Sequence, residues 1–365
     1  MTDELLLNVP LLRRRVPNLT AAARSAGLRP ATVSDLCTGK IPVARAEIRT
    51  LAALADLAGC SLDELVLRAG RGGMIETGIK ALDLLAPLVR GGVAGLVARQ
   101  GVGQLVLLAE LLRTLRTQRG FATVLWLPDQ VTPLLDEVLA DPGATATSPD
   151  ELRAVVAELG AEQDVFVVAD RGRVLSGELQ QVREQLHEAG TRPVTFALYD
   201  PSGETPDEEG APYGALDTAW HLDLDLAARE LYPAIDPVAS TSTLLEGAQL
   251  EAAHLGLAQR ARRLLRRYRE WRGLVAIRGV EQLPAEEQTT YRRGERLEAF
   301  MTQPFFVAEP FTKRPGAWVP LRETLSSVRR ILEGAADDME VTALKYFGAL
   351  PKYVVVICFD AIVIS

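Results

Sequence analysis

Hydrophobic positions change period along this chain. Between Asn18 and Leu36 the apolar residues Leu19, Ala23, Leu28, Val33 and Leu36 recur around Gly27. That spacing predicts a short helix, a glycine turn and a second short helix whose apolar positions face the first. Asn18 is placed to cap the first helix, and Pro30 suits the opening turn of the second. Apolar residues repeat at helical intervals from Thr50 to Ala58, Gly59 ends the run, and Ser61 to Glu64 forms a capping box for a last short helix.

Further along, unbroken apolar runs at 93–97, 122–127, 164–169 and 193–199 alternate with amphipathic stretches at 104–118, 132–140, 150–159 and 174–189. The alternation predicts a parallel sheet covered by helices. Residues 241–334 read as helices, strongest in LAQRARRLLRRYREWRGL, whose arginines are expected on a solvated face. The segment DPSGETPDEEGAPY at 200–213 is acidic and rich in Pro and Gly, as a surface connection would be. The closing run YVVVICFDAIVIS at 353–365 is shorter than the ~20 residues of a membrane helix and contains Asp360, so it reads as a strand.

Composition fits a soluble globular chain with room for two or three domains: 365 residues, 48% hydrophobic and 24% charged. Cys37, Cys60 and Cys358 form no metal-ligand spacing, and His187, His221 and His254 lie far apart, which argues against zinc and disulfides and for a reducing cytoplasm. The opening MTDELLLNVPLLRRR lacks the order of a secretory signal. Residues 1–50 carry eight Lys/Arg against four Asp/Glu, so a segment of net +4 precedes a remainder of −12 in a chain of −8. A basic head of this kind could approach phosphate while the acidic body avoids it.

The stretch GLVARQGVGQLV at 95–106 has the frame of a phosphate loop without its working residues. In such a loop glycines let backbone N–H groups wrap phosphates, a lysine meets the terminal phosphates and a hydroxyl holds magnesium. Here Ala98 replaces the first glycine, Gly101, Val102 and Gly103 follow, and Gln104 and Leu105 stand where lysine and hydroxyl belong. Val106 completes the candidate loop.

The flanking segments IETGIKALDLLAPLVRGG (75–92), LYPAIDPVASTS (231–242) and QPFFVAEPFT (303–312) resemble the catalytic beta subunit of rotary ATP synthases, in that family's order. So do ARRLLRRYREWRGLVAIRG (261–279) and VPLRETLSSVRRILEG (319–334), and the resemblance spans roughly residues 73 to 350. It implies that Asp170, ending DVFVVAD, matches the family's magnesium-side aspartate; by itself an aspartate there would read as a turn or cap residue. Asp129 stands in for the water-positioning glutamate, one methylene shorter, and Gln130 replaces its neighbouring arginine. Tyr232, Phe305, Ala308 and Phe311 match the residues that enclose adenine, and the same rings read equally as core packing between the sheet domain and the helical domain. With phosphate cations lost but the base wall retained, the resemblance implies weak ATP or ADP binding, little need for magnesium and no turnover. The family's acidic rotor loop corresponds to VEQLPAEEQ at 280–288, interrupted by Pro284, and its N-terminal barrel crown is replaced by the basic head.

The head resembles the phage-repressor (Cro-like) helix-turn-helix family, including its close CSLDELV. That resemblance implies a helix from Pro30 to Cys37 entering the major groove of double-stranded DNA. Arg29, Thr32, Ser34, Asp35, Thr38 and Lys40 are then the candidates for bases or phosphates, in a module that works as a dimer.

The expected architecture is an all-α helix-turn-helix head (1–70), an α/β P-loop NTPase (RecA-like) parallel-sheet domain (73–240), a C-terminal helical domain (241–350) and an apolar tail (351–365). The expected function is a cytoplasmic DNA-binding regulator whose body binds adenine nucleotide without hydrolysis. Two alternatives stand beside it: an ATPase or ATP synthase beta-like subunit with a non-standard site, and a non-enzymatic adaptor docking on ATP synthase subunits or on its own copies.

Overall fold

A computed structural model describes residues 5–16, 19–37, 40–68, 73–128, 142–201, 213–246 and 250–350. Asn18, Thr38, Asp129, Gln130, the helix expected at 132–140 and the tail at 351–365 lie outside the described residues.

The head opens on β1 (Leu5–Leu7) and runs through α1 (Val9–Arg15), α2 (Leu19–Ser25), α3 (Pro30–Cys37) and α4 (Ile48–Ala58). A one-turn helix, Leu62–Leu65, then leads into β2 (Val66–Arg68). β1 and β2 pair antiparallel, with Leu6 opposite Leu67, so the head is not the all-α unit that periodicity predicts. Three-residue strands are too short to show alternation, and their pairing joins opposite ends of the segment, which no local pattern encodes. Between α2 and α3 the chain turns at Gly27 with φ +72°, a conformation that a Cβ would strain. Leu12, Val33, Leu36, Leu54 and Leu65 share the head's core.

In the body, β3 (Met74–Ile75) and β4 (Leu88–Val89) pair on either side of α5 (Lys80–Leu85). The main sheet follows, with β5 (Val93–Val97), β6 (Phe121–Trp126), β7 (Ala144–Ala146), β8 (Asp164–Asp170), β9 (Val194–Tyr199), β10 (Thr218–His221) and β11 (Thr241–Ser242). Its order is β11-β10-β5-β9-β8-β6-β7, parallel throughout except for β11 on β10. Along β8, Phe166 and Val168 join one core with Leu107, Leu108 and Leu111 of α6 (Gln104–Thr117). Val165, Val167 and Ala169 join another with α7 (Pro149–Leu159) and α8 (Glu178–Glu188). Both faces of the strand are covered, and for that reason its sequence is an unbroken apolar run. The helix expected over 174–189 is split: Gly177 adopts φ +79° between a one-turn helix, Gly172–Leu175, and α8.

The C-terminal helices are α9 (Ala252–Arg278), α10 (Ala285–Phe300) and α11 (Leu321–Leu332). Their core, containing Leu257, Leu265, Leu297, Phe300, Val328 and Ile331, also takes in Leu84 and Leu85 of α5. Its Ala81 and Leu82 join the sheet core instead, so the first helix of the body bridges the two cores. The arginines of α9 depart from the solvated face expected of them. Arg262 donates to the carbonyls of Leu85 (2.6 Å), Ser240 (2.9 Å) and Pro237 (3.0 Å). Arg269 pairs with Asp236 at 2.8 Å and Asp223 at 3.0 Å, and Arg272 with Asp225 at 2.7 Å. Arg260, Arg263 and Arg266 are exposed. One side of the charged helix thus clamps the sheet domain, a division that helical spacing alone does not reveal.

Candidate nucleotide site

β5 is wholly buried between β9 and β10, and the chain leaves its C-terminal end through the loop 98–103 into α6. Gly101 (φ +80°) and Gly103 (φ +95°) hold left-handed backbone there. A Cβ on Gly103 would lie 3.7 Å from a ring carbon of Tyr232, so the structure brings loop and ring together. Val102 is buried with Leu226, Leu231 and Ala234, anchoring the loop to the segment that carries Tyr232. Val106 is partly exposed on α6, and Leu105 packs at the core's edge.

Gln104 opens α6 and is only 7% exposed. Its Nε2 donates to the carbonyl of Asp200 at 2.9 Å, while its Oε1 is buried without a hydrogen bond. The side chain at the lysine position therefore folds back toward the end of β9. It brings no charge, and its unused atom is an acceptor, which a phosphate oxygen would oppose. A guanidinium lies close by, but Arg171 pairs with the Asp200 carboxylate at 3.6 Å.

Asp170 ends β8, buried, and its Oδ1 accepts from Arg173 N–H at 3.1 Å, the part of a cap for the turn that follows. With burial as the larger cause, it also helps push the Tyr199 hydroxyl pKa above its ordinary value. Among the described residues no group of three or more His, Cys, Asp or Glu is placed to hold a metal ion. Leu105 offers no oxygen and one Asp170 oxygen is engaged, so the residues present do not fit a magnesium–triphosphate group.

The base wall is spread out. Tyr232 is 36% exposed beside the loop, Phe305 is buried in the α6 core, Ala308 packs half-buried against that core, and Phe311 is 78% exposed on the turn Glu309–Thr312. Glu110 of α6, which sequence reasoning passed over, holds the preceding turn, Phe306–Ala308. Its carboxylate accepts from Phe306 and Val307 N–H, both at 3.1 Å, and burial raises its pKa. Arg113, one turn on, lies over the Phe306 ring at 5.1 Å.

A polar joint behind the site was also missed. Asp83 accepts from Thr77 N–H (2.9 Å), Thr77 Oγ1 (2.8 Å) and Gly78 N–H (2.8 Å). Lys80, fully buried, donates to the carbonyls of Phe300 (2.6 Å), Phe347 and Gly348 (3.4 Å). Gln303 accepts from Lys80 N–H and donates to Gly78 and Ala317 carbonyls. The signal was present, since these residues sit inside the segments IETGIKALD and QPFFVAEPFT, but charged and amide side chains read locally as surface groups.

In the head, Arg29, Ser34 and Lys40 are exposed and Thr32 and Asp35 half-buried. Lys40 pairs with Asp35 at 3.8 Å, which offsets one of the charges proposed for DNA.

A family profile described as "C-terminal domain of V and A type ATP synthase" matches residues 246–340. The ATP synthase subunit beta of Coprothermobacter proteolyticus is 30% identical over 328 residues, covering 76% of this chain and 73% of that protein. A solved structure described as a unique ATP synthase subunit, NeqB from Nanoarcheaum equitans, superposes with a TM-score of 0.57 at 17% identity, covering 73% of this chain and 77% of that one. The last likeness concerns the fold. These relatives overturn the reading of the chain as a DNA-binding transcriptional regulator with double-stranded DNA as partner. That reading rested on short helices at a turn spacing, which many helical units share, and on a basic excess that Asp35 partly cancels. With its parallel sheet, its C-terminal helices and a relative of this identity matched over most of both chains, the chain belongs to the ATP synthase beta-subunit family.

Proposed function

We propose that this chain is a beta-type subunit of a rotary ATP synthase-like assembly, and that its loop holds adenine nucleotide weakly without hydrolysing it. Family membership supports the first part. The placement of Gln104 supports the second, because the neutral amide that replaces the lysine is buried and directs its nitrogen to the Asp200 carbonyl. Phosphoryl transfer depends on positioned charge around the phosphoryl oxygens, and each lost donor of that kind typically lowers the rate by ~100-fold or more. Binding is less sensitive. Loss of one charge-assisted contact of ~1.5–3 kcal/mol weakens affinity roughly tenfold to a hundredfold, while the Tyr232 ring still lies beside the loop.

Calorimetric titration of ADP and ATP, with and without magnesium, tests the binding arm. The expected outcome is weak binding of both with little change on adding magnesium. Steady phosphate release abolished by Asp170→Asn would refute the non-hydrolysing arm. Co-purification with an alpha-type ATP synthase subunit tests the assembly arm, and a chain that stays alone when co-expressed would count against it.

A further inference from the structure

At the end of the sheet opposite the phosphate loop lies a cavity of about 350 Å³ that the nucleotide reading does not use. The strands are parallel, so this is the edge where they begin. Arg90 precedes β5, Arg119 precedes β6, Asp164 opens β8 and Arg192 precedes β9, and all four line the cavity with Met74, Ile75, Glu76, Phe121 and Glu162. Three arginines thus line one space from three separate connections.

Their charges are unequally committed. Arg90 forms an ion pair with Asp164 Oδ2, and the Asp164 side chain is only 8% exposed. The carboxylate of Glu76 is turned to the backbone N–H of Leu321 at 2.5 Å. Arg192 donates through Nη1 to the neutral carbonyl of Glu162 at 3.1 Å, which orients its fork without neutralising it. Arg119 is exposed, with no ion pair among the described residues. Glu162 is the remaining acid, exposed on the rim. Arginine forks match oxyanions, and forks arriving from several directions suit a tetrahedral group better than a planar carboxylate.

We propose that this cavity is an oxyanion site for inorganic phosphate or a small phosphate monoester, gripped by Arg119 and Arg192 with Arg90 held in place by Asp164. The site is separate from the nucleotide loop. Met74 and Ile75, the first strand of the body, form part of its wall, so an occupant lies at the point where the chain enters from the head.

The test is calorimetric titration of the full chain with sodium phosphate, with AMP as the monoester and with citrate as a carboxylate comparison. Phosphate or AMP is expected to bind, more tightly than citrate, in the presence of saturating ADP. In Arg119→Ala/Arg192→Ala, both exposed and removable without opening a core, that binding weakens by about tenfold or more. Arg119→Lys/Arg192→Lys restores part of it, because charge returns without the fork. ADP binding at the loop is unchanged in either variant. The proposal is overturned if neither probe binds, if ADP displaces both, if citrate binds equally well, or if the double alanine variant binds as the parent does.

Discussion

The phosphate loop and the polar joint beneath it were built to different standards. At the loop a buried amide makes one hydrogen bond and leaves an acceptor unused. At the joint, Asp83 takes three donors, Lys80 reaches three carbonyls and Gln303 links both sides. A buried polar group left without partners is expensive, so a satisfied network fixes one packing of sheet domain against helical domain. The loop carries no such obligation. Its glycines still turn and its helix still begins, whether or not a cation stands at Gln104. The fold of the sheet domain therefore does not depend on a cation at position 104.

The sharpest way to break this contrast is Asp83→Ala, which strands three donors in the core. We expect a loss of about 3 kcal/mol or more, read as a lower urea midpoint; a change below 1 kcal/mol would mean that the joint does not hold the domains.

A pH profile follows in size. Burial lowers the Lys80 pKa to about 7 from 10.5, so between those values the unfolded chain binds more protons and stability rises with pH. Burial raises Asp83 to about 7 from 3.8, outweighing its hydrogen bonds, so across that window the folded chain binds more protons and stability falls as pH climbs. Together they place a minimum near neutrality, and Lys80→Met should flatten the alkaline limb in thermal unfolding measured from pH 7 to 10.

Next comes Arg269→Ala, which unpairs Asp223 and Asp236 at the clamp between α9 and the sheet domain. These groups are less than a quarter exposed, and we expect about 2 kcal/mol of destabilisation in the same urea experiment. On the loop, Gln104→Lys should tighten ADP by about tenfold, or ~1.4 kcal/mol, with unfolding little changed. Calorimetry that finds equal ADP affinity would show that the loop no longer meets phosphate at all. Phe311→Ala, at a ring 78% exposed, should alter stability by under about 0.5 kcal/mol.

Much of the fold was legible because its strands are buried on both faces. β5 matches the expected run at 93–97, and β6, β8 and β9 fall within a residue of theirs. α6 begins at Gln104 as the loop frame requires. β7, β10 and β11 were not foreseen, being two to four residues long and dependent on neighbours for their identity. Of the candidate site residues, the loop and Tyr232 lie side by side, whereas Phe305 is drawn into the core and Phe311 is left in solvent. Aromatic identity says that a ring is present, not which face it offers.

By itself the sequence determined the elements whose signal is local: periodic apolar runs, the glycines of the loop and the absence of a lysine at 104. It also determined the family, through segments long enough to be specific. Only tertiary structure decided that Lys80, Asp83 and Gln303 are buried partners, that Arg262, Arg269 and Arg272 of α9 are clamps, and that three arginines far apart in the chain share one cavity. A charged side chain has the same local sequence signal in water as in a core. Its role is fixed by the donors and acceptors that distant segments bring to it, and those meet only when the chain is folded.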